Sequence, residues 1–308
     1  MPETNLSTDK LPIVVVITGP TASGKSRVAV EVAKALKADI ISADSRQIYS
    51  GIPITTAAPT PSEKEGVTHH LLEILELKQT YSAALFADDA MRIIEERGNA
   101  GDRYVVVCGG SMMYIDALLY GLNELPTISD SVRQRVAEMT RVYGMDGLLA
   151  YLEIVDPEYF ASVDKNNPRR IMHAVELYLQ SGVKVSDLFK QTDKTLRPFS
   201  FFKFALNPDR EEMFERINRR VRSMVEAGME EEARSVLHLR HLNSLNTIGF
   251  KEWFDCFDGK MDRETTIDRI AKNTRVYAKK QLTWLAKSDD TIFVRPENAV
   301  EQIIARMQ

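Results

Sequence analysis

The chain is poor in cysteine and aromatic residues, and it has no excess of positive charge. Cys108 and Cys256 are the only cysteines among 308 residues, which excludes a disulfide framework and any cysteine-based metal cluster. Both are expected to be reduced thiols with structural roles. Lys and Arg total 40 against 44 Asp and Glu, a net charge of −4. That balance excludes a protein coated in basic surface. It still allows a nucleic-acid ligand, because phosphate contacts need only a local cationic stripe. No apolar run is long enough to cross a bilayer, and residues 1–10 lack the apolar core of a signal peptide. A cytoplasmic protein without membrane contact is expected. Repeats and low-complexity tracts are also missing, and the length suits one large and one small domain.

What is present begins with residues 13–17, a continuous run of Ile and Val that fits a parallel strand buried on both faces. Gly19-Pro20-Thr21-Ala22-Ser23-Gly24-Lys25-Ser26 follows, and then a helical pattern through Val28, Val32, Ala35 and Leu36. This is the GxxxxGK[ST] phosphate loop in its strand–loop–helix context. Gly19 and Gly24 let the backbone curl so that N–H groups from Thr21, Ala22 and Ser23 onward point inward. The helix start adds the positive end of a dipole. Lys25 supplies a mobile cation, and the Ser26 hydroxyl is a ligand for Mg²⁺. The segment predicts a diphosphate or polyphosphate site, but kinases, ATPases, GTPases and transferases all use such loops.

Two further strands end on polar residues. Residues 39–43 run into Asp44-Ser45-Arg46-Gln47, and residues 104–108 run into Gly109-Gly110-Ser111 before a helix. The carboxyl ends of parallel strands face the ligand crevice, so Asp44 and Ser111 should stand near whatever the phosphate loop holds. From position alone, Asp44 could be a general base, a carboxylate that organises a metal, or a helix cap. Ser111 could likewise be a helix cap.

In order along the chain stand GPTASGKS, DSRQIY, THHLLE, CGGSMMY, NNPRRIMHAVELY, NTIGFKEW and TRVYAKKQLTW. With these the chain resembles bacterial tRNA dimethylallyltransferases, also called tRNA isopentenyltransferases, from about residue 14 to about residue 284. The resemblance implies transfer of a dimethylallyl group from its diphosphate to N6 of adenosine 37 in the anticodon stem-loop of tRNA. It makes Asp44 the base, Ser111 a further catalytic residue and Arg220 a contact to the diphosphate. Family positions that touch tRNA fall on Asp44, Ser45, Arg46, Gln47, Ser111, Arg133, Arg169, Arg170, His173, Thr247, Gly249, Lys251, Lys280 and Gln281. Mg²⁺ is the expected cofactor, and a monomer is expected. An isopentenyltransferase acting on free AMP, ADP or ATP, a nucleoside-type kinase and a non-catalytic RNA-binding protein are the alternatives.

Local patterns agree with these roles. After Asp209, an apolar stripe through Met213, Ile217, Val221, Met224 and Val225 predicts a helix that carries Arg216 and Arg220 beside the stripe. Lys280 and Trp284, one turn apart, combine a cation and an aromatic ring as single-stranded RNA binders do, although core packing suits Trp284 equally. His69 and His70 lack a third ligand and read as structural. A P-loop NTPase-like, doubly wound parallel α/β core (1–126 and 197–308), interrupted by an all-helical, tRNA-contacting domain (127–196), is expected, with Leu125-Pro126 closing the helix after Ser111. Two departures stand out. Thr55-Thr56-Ala57-Ala58-Pro59 occupies a place where the family usually has Gly-Thr-Ala-Lys-Pro, and Leu285-Ala286 one where an aromatic and an arginine are common.

Overall fold

The computed structural model describes residues 11–122, 125–190 and 197–308; the polar segment 1–10 lies outside them. In chain order the larger elements are β1 (Ile13–Thr18), α1 (Lys25–Leu36), β2 (Ile40–Ser42), α2 (Pro53–Thr56), α3 (Pro61–Lys64), β3 (His69–His70), α4 (Ala83–Asn99), β4 (Tyr104–Cys108) and α5 (Met112–Tyr120). There follow α6 (Asp130–Val155), α7 (Pro157–Ser162), α8 (Pro168–Ser181), α9 (Val185–Lys190), β5 (Phe201–Leu206), α10 (Arg210–Glu226) and α11 (Met229–Ser235). The last are α12 (Phe250–Phe257), α13 (Arg263–Leu285), β6 (Thr291–Val294) and α14 (Ala299–Met307).

The strands form one parallel sheet in the order β3-β2-β4-β1-β5-β6. The inner strands β1 and β4 bury almost every residue, which is why they read as unbroken apolar runs rather than alternating ones. Val28, Val32, Ala299, Ile303 and Met307 from α1 and α14 pack with Val15, Ile17 and Val106 in one core. The fold is the α/β arrangement expected from the sequence, with two refinements. The segment 104–108 is the fourth strand, because His69–His70 forms an additional two-residue strand beside β2, too short to leave a periodic signal. The helix after Ser111 stops at Tyr120 rather than at Leu125-Pro126, where Gly121 takes a left-handed φ of 81°.

Two compact units are present. One comprises the described residues up to Leu119 together with Arg197–Gln308, and the other the described residues within Tyr120–Leu196. The smaller unit is helical, with Val136, Leu148, Leu152, Ile171 and Val175 of α6 and α8 at its centre. Gly144 breaks the long helix α6 with φ 68° and ψ −175°. Asp156 is fully buried, and it accepts hydrogen bonds from the Tyr159 and Ser186 N–H groups and from the Ser186 hydroxyl, so α7 and α9 share one carboxylate.

The approach of β2 to β4 governs the crevice of the larger unit. A Cβ on Gly109 would lie 2.0 Å from the Ala43 carbonyl oxygen, so only glycine lets the two strand ends meet. Gly109→Ala is therefore expected to cost about 1–3 kcal/mol or more, read as a lower urea midpoint. An unchanged midpoint would mean that the strand ends part freely.

Candidate active site

The phosphate loop curls through Ala22 at φ 61° and Gly24 at φ 88°, both in the left-handed region, and Gly24 caps α1. Ser23 N–H donates to the Pro20 carbonyl at 3.2 Å, closing the turn. The Ser23 hydroxyl is buried and has no partner among the described residues, leaving a spare donor inside the loop. Beside the loop lies a cavity of about 400 Å³, a size typical of small-molecule sites. Its lining includes Thr21, Lys25 and Ser26, the Asp44–Gln47 turn, Gly109–Ser111, Arg220 and Tyr277. Residues about 250 positions apart in the chain thus face one space.

Asp44 is held by its own turn: its Oδ1 accepts from the N–H groups of Arg46 (2.9 Å) and Gln47 (3.3 Å). Among the described residues nothing donates to Oδ2, which leaves one carboxylate oxygen for an incoming proton. Ser111 Oγ accepts from Ser45 N–H at 2.8 Å, and Ser111 N–H donates to the Ala43 carbonyl at 3.1 Å. The hydroxyl proton of Ser111 therefore remains available to the cavity.

Arg220 comes from the cavity face of α10, beside Ile217, Val221 and Met224. Burial lowers its pKa from the ordinary arginine value, while the Asp44 and Glu63 charges oppose that shift. Lys25 is lowered as well, by burial first; Cys108 and Asp44 oppose the shift, and Arg220 adds to it. The Cys108 thiol is pushed up to about 11 by burial, so it stays protonated and structural. The site is thus a partly dewatered space in which two cations face one nearby carboxylate, an arrangement that favours an anionic ligand.

The oxygen donors suited to a metal are the exposed Ser26 hydroxyl and Asp44. Among the described residues no group of three or more His, Cys, Asp and Glu side chains could hold a metal ion. This set fits Mg²⁺ carried in by a diphosphate and keeping part of its water shell, the usual habit of that ion.

The residues expected to touch tRNA divide into two groups. Ser45 and Thr247 line the cavity, as does Lys251, which is also exposed. Lys280 is exposed on α13; Arg169, Arg170 and His173 are exposed on the first turns of α8. Arg133 is exposed and lies 3.4 Å from Asp130. The other side chains are engaged inside the protein. Arg46 donates to the carbonyls of Asn243 and Ser244 at 2.7 and 3.1 Å, and Gln47 donates to those of Thr56 and Ala57 at 3.1 and 2.9 Å. Gly249 is buried, with its N–H on the Glu252 carboxylate at 2.7 Å, and Gln281 is buried against the phosphate loop.

Three features were not visible in the sequence. The Arg216 guanidinium comes within 3.9 Å of the place a Cβ on Gly24 would take, at the phosphate loop rather than on a solvated face. Tyr277 turns a 44% exposed ring into the cavity, and burial of its hydroxyl followed by the Asp44 charge raises its pKa. Thr55, at the first family departure, lines the cavity beside Gly249 and Met229 with a buried hydroxyl that has no partner among the described residues. Trp284, open between core and surface from sequence, is 39% exposed and donates to Asp116 at 2.9 Å. His70 pairs with Asp39 at 2.8 Å, and His69 Nδ1 lies 2.9 Å from the Val67 carbonyl.

The lowered pKa of Lys25 makes a binding prediction. Between that value and 10.5 the unfolded chain holds the proton more tightly than the folded one, so this lysine's contribution to stability rises with pH there. A bound diphosphate favours the charged form, so pyrophosphate binding should take up a proton in the same window. Calorimetry in alkaline buffers of different ionisation heat reads this uptake. It should vanish in Lys25→Met, and an uptake unchanged in that variant would assign it elsewhere.

Comparison with known proteins gives this geometry its relatives. A family model described as IPP transferase matches residues 47–288. The chain is 40% identical over 291 residues to tRNA dimethylallyltransferase 1 of Bacteroides thetaiotaomicron, covering 94% of each chain. It is 42% identical over 282 residues to tRNA dimethylallyltransferase 2 of Porphyromonas gingivalis, covering 92% of this chain and 93% of the relative. Among solved structures, the full-length tRNA isopentenylpyrophosphate transferase of Bacillus halodurans superposes with a TM-score of 0.71 at 32% identity, covering 96% of this chain and 95% of its own. A eukaryotic dimethylallyltransferase acting on tRNA superposes with a TM-score of 0.77 at 26% identity, covering 92% of this chain and 74% of its own. With a family model over most of its length and relatives of this identity across nearly all of it, the chain belongs to the IPP transferase family.

Proposed function

We propose that this protein transfers the dimethylallyl group of dimethylallyl diphosphate to N6 of adenosine 37 in the anticodon loop of tRNA, acting in the cytoplasm. The observation that carries this reading is the single cavity in which a phosphate loop and Arg220 face Asp44 and Ser111. A kinase also needs the loop. An alkyl transfer needs in addition a carboxylate at the acceptor and an apolar wall for the five-carbon chain, which Ile217, Val221, Met224 and Met229 provide.

In the reaction the bond between allylic C1 and the diphosphate oxygen breaks, and its electron pair leaves with the diphosphate. The adenine N6 lone pair forms the new bond to C1. The N6 proton passes to Asp44 Oδ2, the oxygen that the local turn leaves free. Lys25, Arg220 and the loop N–H groups stabilise the charge that grows on the leaving group. Mg²⁺ bound with the diphosphate, next to Ser26, would supply further charge neutralisation. Ser111, fixed by Ser45 N–H, donates its hydroxyl to the acceptor side. A stacked base cannot present N6 to the cavity, so the nucleotide swings out of the loop to react. The exposed cations Lys251 and Lys280 suit the RNA backbone, and so do Arg133, Arg169, Arg170 and His173 in the helical unit.

The test is incubation with dimethylallyl diphosphate, Mg²⁺ and either an unmodified anticodon stem-loop or free AMP. Allyl transfer to the RNA alone is expected; transfer to AMP alone, or phosphoryl transfer from ATP, would overturn the reading. Asp44→Asn should lower kcat by about 10²–10⁴-fold with both substrates still bound, and a variant with normal turnover would remove Asp44 from the base role. Chelation should abolish turnover, and Ser26→Ala should raise the Mg²⁺ concentration needed for half-maximal rate. An unaltered Mg²⁺ requirement would separate Ser26 from the ion.

A further inference from the structure

Gln281 lies on α13, 260 residues from the phosphate loop, and is 4% exposed. Its Oε1 accepts from Thr21 N–H at 2.9 Å, and its Nε2 donates to the Gly110 carbonyl at 2.9 Å. One carboxamide therefore spans the gap between the loop after β1 and the loop after β4. The fit is close: a Cβ on Gly110 would fall 2.6 Å from Gln281 Nε2 and 3.6 Å from Lys25 Nζ. An apolar contact reinforces the link, because Ala22 and Leu282 both pack against the cluster of Met213, Ile217 and Ala278 from α10 and α13.

The same face of α13 continues along the cavity. Ile270, Thr274, Tyr277 and Gln281 follow at three- and four-residue spacing, and all four line it. Tyr277 stands in the field of Asp44, the acceptor-side carboxylate. The helix thus meets the donor loop around Gln281, through its carboxamide and the apolar contacts of Ala278 and Leu282, and the acceptor space one turn away at Tyr277. A phosphate loop that shifts on taking up its ligand must either carry Gln281 with it or leave a buried amide unpaired. An unpaired buried polar group costs about 1–3 kcal/mol, so the loop and the helix should move together.

Resting on the transfer reaction proposed above, we infer that Gln281 is a positioning residue that couples occupation of the phosphate loop to the seating of the acceptor RNA against α13. The coupling is a free energy shared by two sites, so it is reciprocal. Pyrophosphate tightens RNA binding, and RNA tightens pyrophosphate binding by the same factor.

The experiment measures the dissociation constant of an unmodified anticodon stem-loop for the full-length protein, with and without saturating pyrophosphate and Mg²⁺. In the native protein pyrophosphate should lower that constant by about fivefold or more, the lower range of typical couplings. Gln281→Met keeps the length and shape of the side chain but removes both hydrogen bonds. It should bring the ratio close to one while each ligand alone still binds. A purely structural role would weaken both ligands and leave their ratio intact. A native protein without coupling, or a methionine variant with the native ratio, overturns the inference.

Hydrogen exchange of the native protein with pyrophosphate alone is the second measurement, and it needs no variant. Amides of residues 277–285 should slow together with those of the loop, and an α13 that does not respond refutes the link. This reading needs neither RNA nor turnover. A protein that slows in α13 yet transfers no allyl group would retain the Gln281 link and lose the proposed reaction.

Discussion

Lys25 and Arg220 line a cavity in which burial disfavours both cations and Asp44 is the one carboxylate among the lining residues. The rest of the site depends on this imbalance. In the proposed reaction, an arriving diphosphate would replace the water these groups have lost, and the charge that develops as it departs would meet donors already in place. Desolvation that would weaken an empty site strengthens a filled one, because the attraction acts in a less polar surrounding. The parallel sheet maintains the imbalance by gathering the ends of β1, β2 and β4 at one edge.

The sequence made legible what local chain geometry determines. The phosphate loop announces itself because its glycines, lysine and serine act within eight consecutive residues. Asp44 and Ser111 were placed by the rule that parallel strands deliver their ends to one crevice. Helix α10 was readable from the spacing of Met213, Ile217 and Val221, and in the structure Asp209 caps it. The larger architecture followed because buried strands carry unbroken apolar runs.

Features that depend on the meeting of distant segments were not legible. Gln281 and Tyr277 sit in a helix whose exposed and buried faces can be counted, but nothing local tells which residue reaches the phosphate loop. Arg216 and Arg220 differ by one turn, and only the packing of α10 decides that Arg216 comes beside Gly24 of the phosphate loop and Arg220 lines the cavity. Thr55 reads as one loop threonine among several, and its position becomes informative only once Gly249 and Met229 close around it. Strand β3 is two residues long, below the length at which alternation can register.

Arg46 illustrates how a charge at the proposed nucleic-acid site can serve the scaffold. Its guanidinium fastens the turn after β2 to the backbone of residues 243–246, and the neighbouring Asn246 and Thr247 belong to the cavity wall. Removing that cation would release a stretch of wall rather than subtract one phosphate contact. The harm should therefore spread to every RNA in equal measure and persist at high ionic strength, where a lost surface contact would cease to matter.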